Sequence, residues 1–397
     1  MDADIDFVHT GPGTLAGRYL RRFWQPIHRV HDLAPGRALP VRVMGEDFTL
    51  YRGEAGPNPS PLPGGEGTNP HLLAFRCAHR GTQLSTGWVE GDDIRCFYHG
   101  WKYGPNGQCM DQPAEPEPFC ARIQIRSYPV EEYIGLVFAY LGEGTPPSLP
   151  RYPDFETERD PRVQAAWPCN YFVRLESIRD EWRIGPVDQG FAGMADIRQI
   201  EAEETDSGLL QRGIRSHDDV TVGYVHMPNV HQFTVCGSPP DQSGNGSWES
   251  LLWIVPVDDE HFTTFNVTRA ARGDESSASY QERRAARAGN IARRKPAEEL
   301  GEEILAGRLR LADVTDRTMN LNVVQDYVAI VGQSRVADRA GENLGAQDAS
   351  VALLRSIWER ELRALAHDEP LKQWERRVAV RAGKTAAASP EKGSEGC

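Results

Sequence analysis

Two short segments of this 397-residue chain constrain its fold more than any other feature. The first segment is Cys77–Gly81 (CAHRG) and the second is Cys96–Gly100 (CFYHG), so each supplies one thiol, one imidazole and one glycine. Thiolate sulfur and imidazole nitrogen are common protein ligands of zinc and of iron. Glycine permits the tight turn that such a loop needs. The pattern therefore predicts one metal centre that joins two loops.

Two kinds of metal centre take two Cys and two His ligands. Structural zinc sites usually pair Cys with Cys and His with His, at C-x2–4-C and H-x3–5-H spacing. Here each loop mixes one of each. In a Rieske-type [2Fe–2S] cluster, two thiolates bind one iron and two neutral imidazoles bind the other, which raises the reduction potential. We therefore predict a Rieske-type cluster held by Cys77, His79, Cys96 and His99.

The hydrophobic pattern divides the chain into two structured parts. Between residues 40 and 145, short strand-like runs alternate with turn residues, which predicts a small β-sandwich around the cluster. Residues 146–380 combine helical periodicity with five strand-like runs that can form one antiparallel sheet. We predict an α+β fold in which the segment 1–39 packs on this second part. The polar tail 381–397 is expected to be disordered.

Three local patterns predict individual elements. Residues 171–182 and 349–366 carry apolar side chains at helical spacing, and the first of these helices should end near Gly185 and Pro186. The Gly- and Pro-rich stretch 53–70 predicts an exposed loop.

Composition narrows the partners and the compartment. The net charge of −13 makes a nucleic-acid partner unfavourable. The chain lacks an apolar run long enough to span a bilayer, so no membrane partner is expected. The N-terminus is acidic and lacks the order of a secretory signal, and seven cysteines are too few for a disulfide scaffold. We therefore expect a complete, cytoplasmic protein.

The sequence around the two loops resembles the Rieske non-haem iron oxygenases, and more narrowly the phthalate dioxygenase-like group of their large subunits. The resemblance covers most of the chain, through the segments TGPGTLAGRYLRRFWQPI, GEDFTLYRG, both loops, DQPAEPE and QDYVAIVGQSRVADRAGENLGAQDASVALLR. It implies a cluster domain followed by a catalytic-type domain with a helix-grip-like sheet. It also implies a trimer in which the cluster of one subunit meets the iron site of its neighbour.

The resemblance further implies a mononuclear iron bound by two His and one carboxylate. In the run that starts at Asn170, the two His positions hold Arg183 and Asp188, whereas Asp326 matches the carboxylate ligand. Arginine is always cationic and cannot bind the metal. We expect a degenerate site without Fe(II), in which a guanidinium between two carboxylates takes the place of the ion.

Asp180 matches the family's carboxylate that links the cluster of one subunit to the iron of the next. The resemblance thus implies that Asp180 is an inter-subunit electron bridge. Alternatively, it is a charge at the N-terminus of a helix or a partner of Arg183.

These residues together lead to one preferred function and two alternatives. The preferred function is a subunit that receives electrons from a ferredoxin or flavin reductase. It passes them to the iron of a related, intact subunit in a hetero-oligomeric oxygenase that hydroxylates or demethylates a small, aromatic substrate. One alternative is an oxygenase active by itself with an unusual iron site, for which His226 and His231 have suitable spacing. The other is a structural or regulatory paralogue.

Overall fold

The elements are taken from a computed structural model that describes residues 5–54, 69–156, 159–177, 197–215, 220–236, 247–270, 295–314 and 319–375. Within these ranges the helices are α1 (Leu15–Leu20), α2 (Tyr171–Glu176), α3 (Ala297–Leu305), α4 (Met319–Val331) and α5 (Ala349–Ala366). The strands of the first half are β1 (Gln25–Arg29), β2 (Ala38–Val43), β3 (Glu46–Arg52), β4 (Pro70–Ala74), β5 (Trp88–Glu90), β6 (Asp93–Arg95), β7 (Lys102–Tyr103), β8 (Cys109–Asp111), β9 (Ser127–Tyr128), β10 (Val130–Tyr133) and β11 (Leu136–Ala139). Those of the second half are β12 (Asp160–Trp167), β13 (Ile197–Glu204), β14 (Gly208–Arg215), β15 (Val220–His226), β16 (Val230–Cys236), β17 (Ser247–Asp258) and β18 (His261–Ala270).

The first half is built from three small antiparallel sheets. Their strand orders are β1-β11-β10, β2-β3-β4-β9 and β5-β6-β7-β8. The first metal-binding loop follows β4, and the second connects β6 to β7. A separate cluster of buried side chains surrounds both loops, including Leu84, Ile94 and Tyr103. The metal-binding loops therefore have their own small hydrophobic core, separate from the large core of the chain.

The second half contains one antiparallel sheet of seven strands, in the order β12-β18-β17-β16-β15-β14-β13. The five strand-like runs expected from the sequence are β14 to β18, so the α+β fold with a large antiparallel sheet is confirmed. Helices pack on this sheet through large side chains: Trp167 of β12 contacts Tyr327 of α4 edge-on, with ring centroids 5.1 Å apart.

The N-terminal segment contacts both halves. Its strand β1 pairs with β11, so it completes one of the small sheets. Its helix α1 packs on α5, where the rings of Tyr19 and Trp358 lie 5.2 Å apart, edge to face. The indole N–H of Trp374 donates a hydrogen bond of 3.1 Å to the Tyr19 hydroxyl. The beginning and the end of the described chain thus share one layer.

Both helices predicted from local patterns are present, at least in part. Helix α5 has the predicted bounds, and α2 starts where the sequence predicts a helix. Residues 55–68 of the predicted loop, the region 178–196 with Gly185 and Pro186, and the tail from 376 onward lie outside the described residues. The domain limits given above stay predictions. None of the helices in the described ranges combines the length and apolar character needed to cross a bilayer.

Candidate metal centre

The two metal-binding loops are the same turn built twice. In the first, the N–H of Cys77 donates to the carbonyl of Thr82 (2.8 Å), and the N–H of Gly81 donates back to the carbonyl of Cys77 (2.9 Å). In the second, the N–H of Cys96 donates to Trp101 (2.9 Å), and that of Gly100 donates to Cys96 (3.1 Å). The glycine N–H groups therefore close the turns themselves.

Glycine is required at the fifth position of each turn for its backbone conformation. Gly81 has φ of 75° and Gly100 has φ of 77°, in the left-handed region that other residues rarely adopt. A side chain at Gly100 would also lie 2.9 Å from the ring of Pro113. This repeated turn explains why each Cys and His pair in the sequence is followed by a glycine.

The two turns place the thiols of Cys77 and Cys96 next to each other, and likewise the imidazoles of His79 and His99. Burial raises the pKa of Cys77, the Tyr103 hydroxyl opposes the rise, and the adjacent Cys96 thiol adds to it. The imidazole rings of His79 and His99 lie 4.5 Å apart. His79 also stacks on Trp101, with ring centroids 4.7 Å apart and planes 8° from parallel. The structure thus places a pair of thiols and a pair of imidazoles at the ends of two adjacent loops.

This donor set fits a Rieske-type [2Fe–2S] cluster. Two sulfur donors on one side and two nitrogen donors on the other match its two irons, which have different ligands. The Nδ1 atom of His79 is buried and makes no hydrogen bond within the part of the chain that the structure describes. A buried polar atom without a partner is costly, so metal coordination gives this nitrogen the partner it needs.

Tyr103 is a further residue of the centre that the sequence did not single out. Its hydroxyl lies 3.2 Å from Sγ of Cys77 and accepts a 3.0 Å hydrogen bond from the N–H of Ala78. Because the oxygen already accepts from Ala78, its proton is available to donate to the sulfur. Burial raises the pKa of Tyr103, so the hydroxyl keeps this proton at neutral pH.

Replacing Tyr103 with phenylalanine is expected to lower the reduction potential of the cluster-loaded protein. A hydrogen bond to a ligand sulfur stabilises the more negative, reduced state. At about 1 kcal/mol for one hydrogen bond, the decrease is about 40 mV for a one-electron couple. Redox titration followed by electron paramagnetic resonance measures it. Tyr51→Phe is the matched control, because Tyr51 is equally buried and its hydroxyl donates to the carbonyl of Asp92. Equal shifts in both variants would contradict the assignment.

The second metal pocket implied by the sequence is described only in part. Asp180, Arg183 and Asp188 lie outside the described residues. Asp326 on α4 is described, and its Oδ2 atom lies 3.6 Å from Nη1 of Arg174 on α2. A guanidinium thus faces the carboxylate of Asp326, and it belongs to Arg174, which the sequence did not single out. The predicted contact of Arg183 with Asp326 lies outside the described residues.

The side chain of Arg174 is mostly buried, with 14% of it exposed. Its guanidinium carbon lies 5.8 Å from the ring centroid of Trp167. Its Nε atom is buried without a hydrogen bond among the described residues. Burial lowers the pKa of Arg174 to about 10, which still leaves it charged at neutral pH. At the end of the same helix, Glu176 binds Arg339, which lies between α4 and α5, at 2.8 Å, and this contact holds α2 in place.

His226 and His231 do not converge. Val225 of β15 pairs with His231 of β16, whereas His226 pairs with Val230. Since neighbouring residues of a strand point to opposite faces, the two imidazoles lie on opposite sides of the sheet. His226 instead bonds Gln232, at 2.9 Å. This pair cannot jointly bind one metal ion.

Comparison with known proteins agrees with the geometry of the loops. The family model described as the Rieske [2Fe-2S] domain matches residues 23–129. The chain is 30% identical over 383 residues to the phenoxybenzoate dioxygenase subunit alpha of Ectopseudomonas oleovorans, covering 88% of this chain and 82% of that protein. It is also 30% identical over 383 residues to the 5,5'-dehydrodivanillate O-demethylase oxygenase subunit of Sphingobium sp. (strain NBRC 103272 / SYK-6), covering 91% and 80%.

Solved structures share the fold at low identity. Pseudomonas putida CBB5 NdmA with caffeine superposes with a TM-score of 0.62 at 18% identity, covering 90% of this chain and 94% of that one. The oxygenase in the reduced complex between oxygenase and ferredoxin in carbazole 1,9a-dioxygenase superposes with a TM-score of 0.58 at 18% identity, covering 86% and 89%. The two-part architecture described above is therefore that of known oxygenases.

Proposed function

The chain belongs to the family of Rieske non-haem iron oxygenase alpha subunits, and we propose that within this family it relays electrons to the iron of another subunit. In this proposal Cys77, His79, Cys96 and His99 hold the [2Fe–2S] cluster, which supplies one-electron transfer when bound. The chain's own mononuclear iron site is degenerate. Electrons come from a ferredoxin or flavin reductase, and the receiving iron belongs to a related subunit.

The contact between Arg174 and Asp326 carries the proposal. Asp326 holds the position of the family's carboxylate ligand, and the nearest described cation is a guanidinium 3.6 Å away. A guanidinium satisfies the charge of a carboxylate but has no lone pair to donate to a metal. A divalent ion at Asp326 would have to displace it or accept strong repulsion at close range. This arrangement favours an ion pair over iron.

Positions 183 and 188 of the sequence also support the loss of the iron site. They replace both His ligands, so two of the three expected iron ligands differ and the third faces Arg174. We propose that Asp180 is kept as the bridge through which electrons pass between subunits. A subunit with a cluster but without its own iron is useful only beside one that has it, which leads to a hetero-oligomer.

The surface at the tip of the cluster loops supports electron exchange with another protein. Phe97 and Tyr98 lie between two cluster ligands, and their side chains are 51% and 52% exposed. The Tyr98 ring lies 3.8 Å from that of His99. Exposed aromatic side chains of this size mark protein contacts. The tip can therefore dock on a partner with the imidazole of His99 at the contact.

The substrate of the complete assembly is proposed by analogy. Two relatives are named for phenoxybenzoate and for dehydrodivanillate, and this supports a small aromatic substrate oxidised at the partner's iron. In the described part of this chain, the carboxylate of Asp326 forms an ion pair with Arg174, so we propose that the substrate is oxidised at the partner's iron and not at this pocket.

The first experiment is iron analysis of the chain expressed without any partner. We expect about two irons per chain, all accounted for by the cluster spectrum. We also expect no ferrous signal that responds to nitric oxide. A value of about three irons, with a ferrous site that binds nitric oxide, would contradict the proposal. It would make the chain an oxygenase by itself.

A further inference from the structure

Both cluster loops are preceded by an arginine that binds the glycine of its own turn. Nη1 of Arg76 donates to the carbonyl of Gly81 at 2.9 Å, and Nη1 of Arg95 donates to the carbonyl of Gly100 at 2.6 Å. In each loop the arginine directly precedes the cysteine ligand, and the glycine follows the histidine ligand within two residues. Each hydrogen bond therefore spans the whole ligand-bearing turn and links its two ends.

The two arginines differ in what holds them. Arg95 makes a bidentate pair with Glu90, through Nε at 2.6 Å and Nη2 at 2.9 Å, and its Nη1 also donates to Asp111 at 2.9 Å. Its side chain is only 16% exposed. Arg76 is exposed and lies over the ring of Phe75, and none of the carboxylates in the described ranges forms an ion pair with it.

The carboxylates that hold Arg95 are themselves fixed by the sheet β5-β6-β7-β8. Strand β6 ends at Arg95 and pairs with β5, which carries Glu90. Asp111 lies on β8, which is separated from β6 by β7. Glu90 accepts a 3.0 Å hydrogen bond from the indole N–H of Trp88, and Nζ of Lys102 on β7 lies 3.9 Å from its Oε2 atom. Bidentate Arg–carboxylate pairs are geometrically specific. The guanidinium of Arg95 is therefore held by three hydrogen bonds to two carboxylates, in addition to its bond to the loop.

We infer that Arg95 is a positioning residue, which transfers the rigidity of the four-stranded sheet to the loop that carries Cys96 and His99. Arg76 makes the same hydrogen bond to its glycine without that support, so the first loop is held less firmly. The second loop, which bears the exposed Phe97 and Tyr98, is therefore supported more rigidly than the first. The inference stands whether or not the mononuclear iron site is degenerate.

The test compares Arg95→Gln with Arg76→Gln in the purified, cluster-loaded chain. Each variant removes one arginine-to-glycine hydrogen bond, but only the first also disconnects a carboxylate network. Outer-shell changes at metal sites typically cost about 10–100-fold in metal affinity. We expect Arg95→Gln to lose its cluster to a chelator at least about tenfold faster than wild type, and Arg76→Gln within about twofold. Loss of visible absorbance gives the rate.

A second readout separates positioning from general stability. We expect Arg95→Gln to broaden the electron paramagnetic resonance signal of the reduced protein, because the His99 side of the centre becomes heterogeneous, while the thermal midpoint of the protein fold changes little. Arg95→Lys keeps the charge but cannot reach three acceptors at once, and it should rescue only in part. Equal rates for the Arg95 and Arg76 variants, or a wild-type rate for both, would overturn the inference.

Two further variants decide the question if Arg95→Gln does not fold. Glu90→Gln and Asp111→Asn leave Arg95 in place and release it from one side each. An accelerated cluster loss in both, larger for Glu90→Gln because that bond is bidentate, supports the inference. A wild-type rate in both would show that the network does not act on the loop.

Discussion

Replacing His79 with alanine is expected to abolish electron relay by the assembled complex. His79 supplies one of the two nitrogen donors, and its Nδ1 is buried with no other described partner. Changes in groups that merely support a metal ligand cost about 10–100-fold in metal affinity, so loss of a ligand should cost more. We expect iron in this chain to fall from about two per chain to nearly none. Substrate oxidation by the complex should fall by more than about 100-fold.

The measurement uses the complex purified from cells that express all its subunits. Iron content and the spectrum of the reduced protein report the cluster, and oxygen-dependent product formation reports relay. His71→Gln is the matched control. This histidine lies in the same half of the chain, but its Nε2 pairs with Asp92 at 2.7 Å. The control should keep its iron and its activity. Full activity of the His79 variant without a cluster would instead identify a structural or regulatory paralogue.

Breaking the pair between Arg174 and Asp326 is expected to have the largest effect on stability. Asp326→Asn would leave the guanidinium of Arg174 in a buried site, facing a neutral amide. Removing one partner of a buried ion pair costs about 3–5 kcal/mol, and the partly exposed Asp326 should place this variant near the lower limit. Denaturant unfolding measures the change in the free energy of unfolding. Asp313→Asn is the matched control. Its partner Arg310 is 82% exposed, so solvent screens this pair and the free energy of unfolding should change little.

The double variant Arg174→Leu with Asp326→Leu tests whether the loss of stability comes from leaving one charge unpaired. Apolar replacement of both partners of a buried pair is often neutral or stabilising, so much of the loss should be recovered. The same arginine should also resist restoration of a metal site. In a chain with Arg183→His and Asp188→His, iron binding should improve when Arg174 is changed to alanine. Equal iron binding with and without Arg174 would mean that the guanidinium does not compete for Asp326.

The cluster centre could be predicted from sequence because its ligands and glycines lie within two short turns. The residues that tune it could not. Tyr103 acts through a contact 26 residues away in the sequence, and a lone buried tyrosine in a strand has no distinctive pattern. Likewise, Arg174 and Asp326 meet only through the packing of α2 and α4. The sequence singled out Arg183 because it stands at a matched ligand position, whereas the charge that compensates a carboxylate can come from any side chain that reaches the pocket, as that of Arg174 does.

The sequence predicted the five inner strands of the large sheet, β14 to β18, but not its two edge strands, β12 and β13. Most of strands β14 to β18 are rich in β-branched, aromatic and other apolar residues, which favour strands. Both edge strands lack such a signal. Residues 197–204 (IRQIEAEE) are rich in glutamate, which favours helices, and β12 carries Pro161. Edge strands tolerate proline and charge, since only one side needs hydrogen bonds. Tertiary pairing with β14 and β18 therefore decides their conformation.

The pairing of Tyr19 with Trp358 has a consequence for how the chain is made. These residues are roughly 340 positions apart, so at about 5–20 residues per second a ribosome needs roughly 15–70 s to supply the partner of α1. Strands β5 to β8 and both cluster loops lie within one short stretch of the chain and emerge early. We expect the nascent chain to complete its metal-binding part first, while the apolar face of α1 stays exposed until α5 has been synthesised. Chains terminated before α5 should keep the loops but expose that face, which makes them targets for chaperones and aggregation.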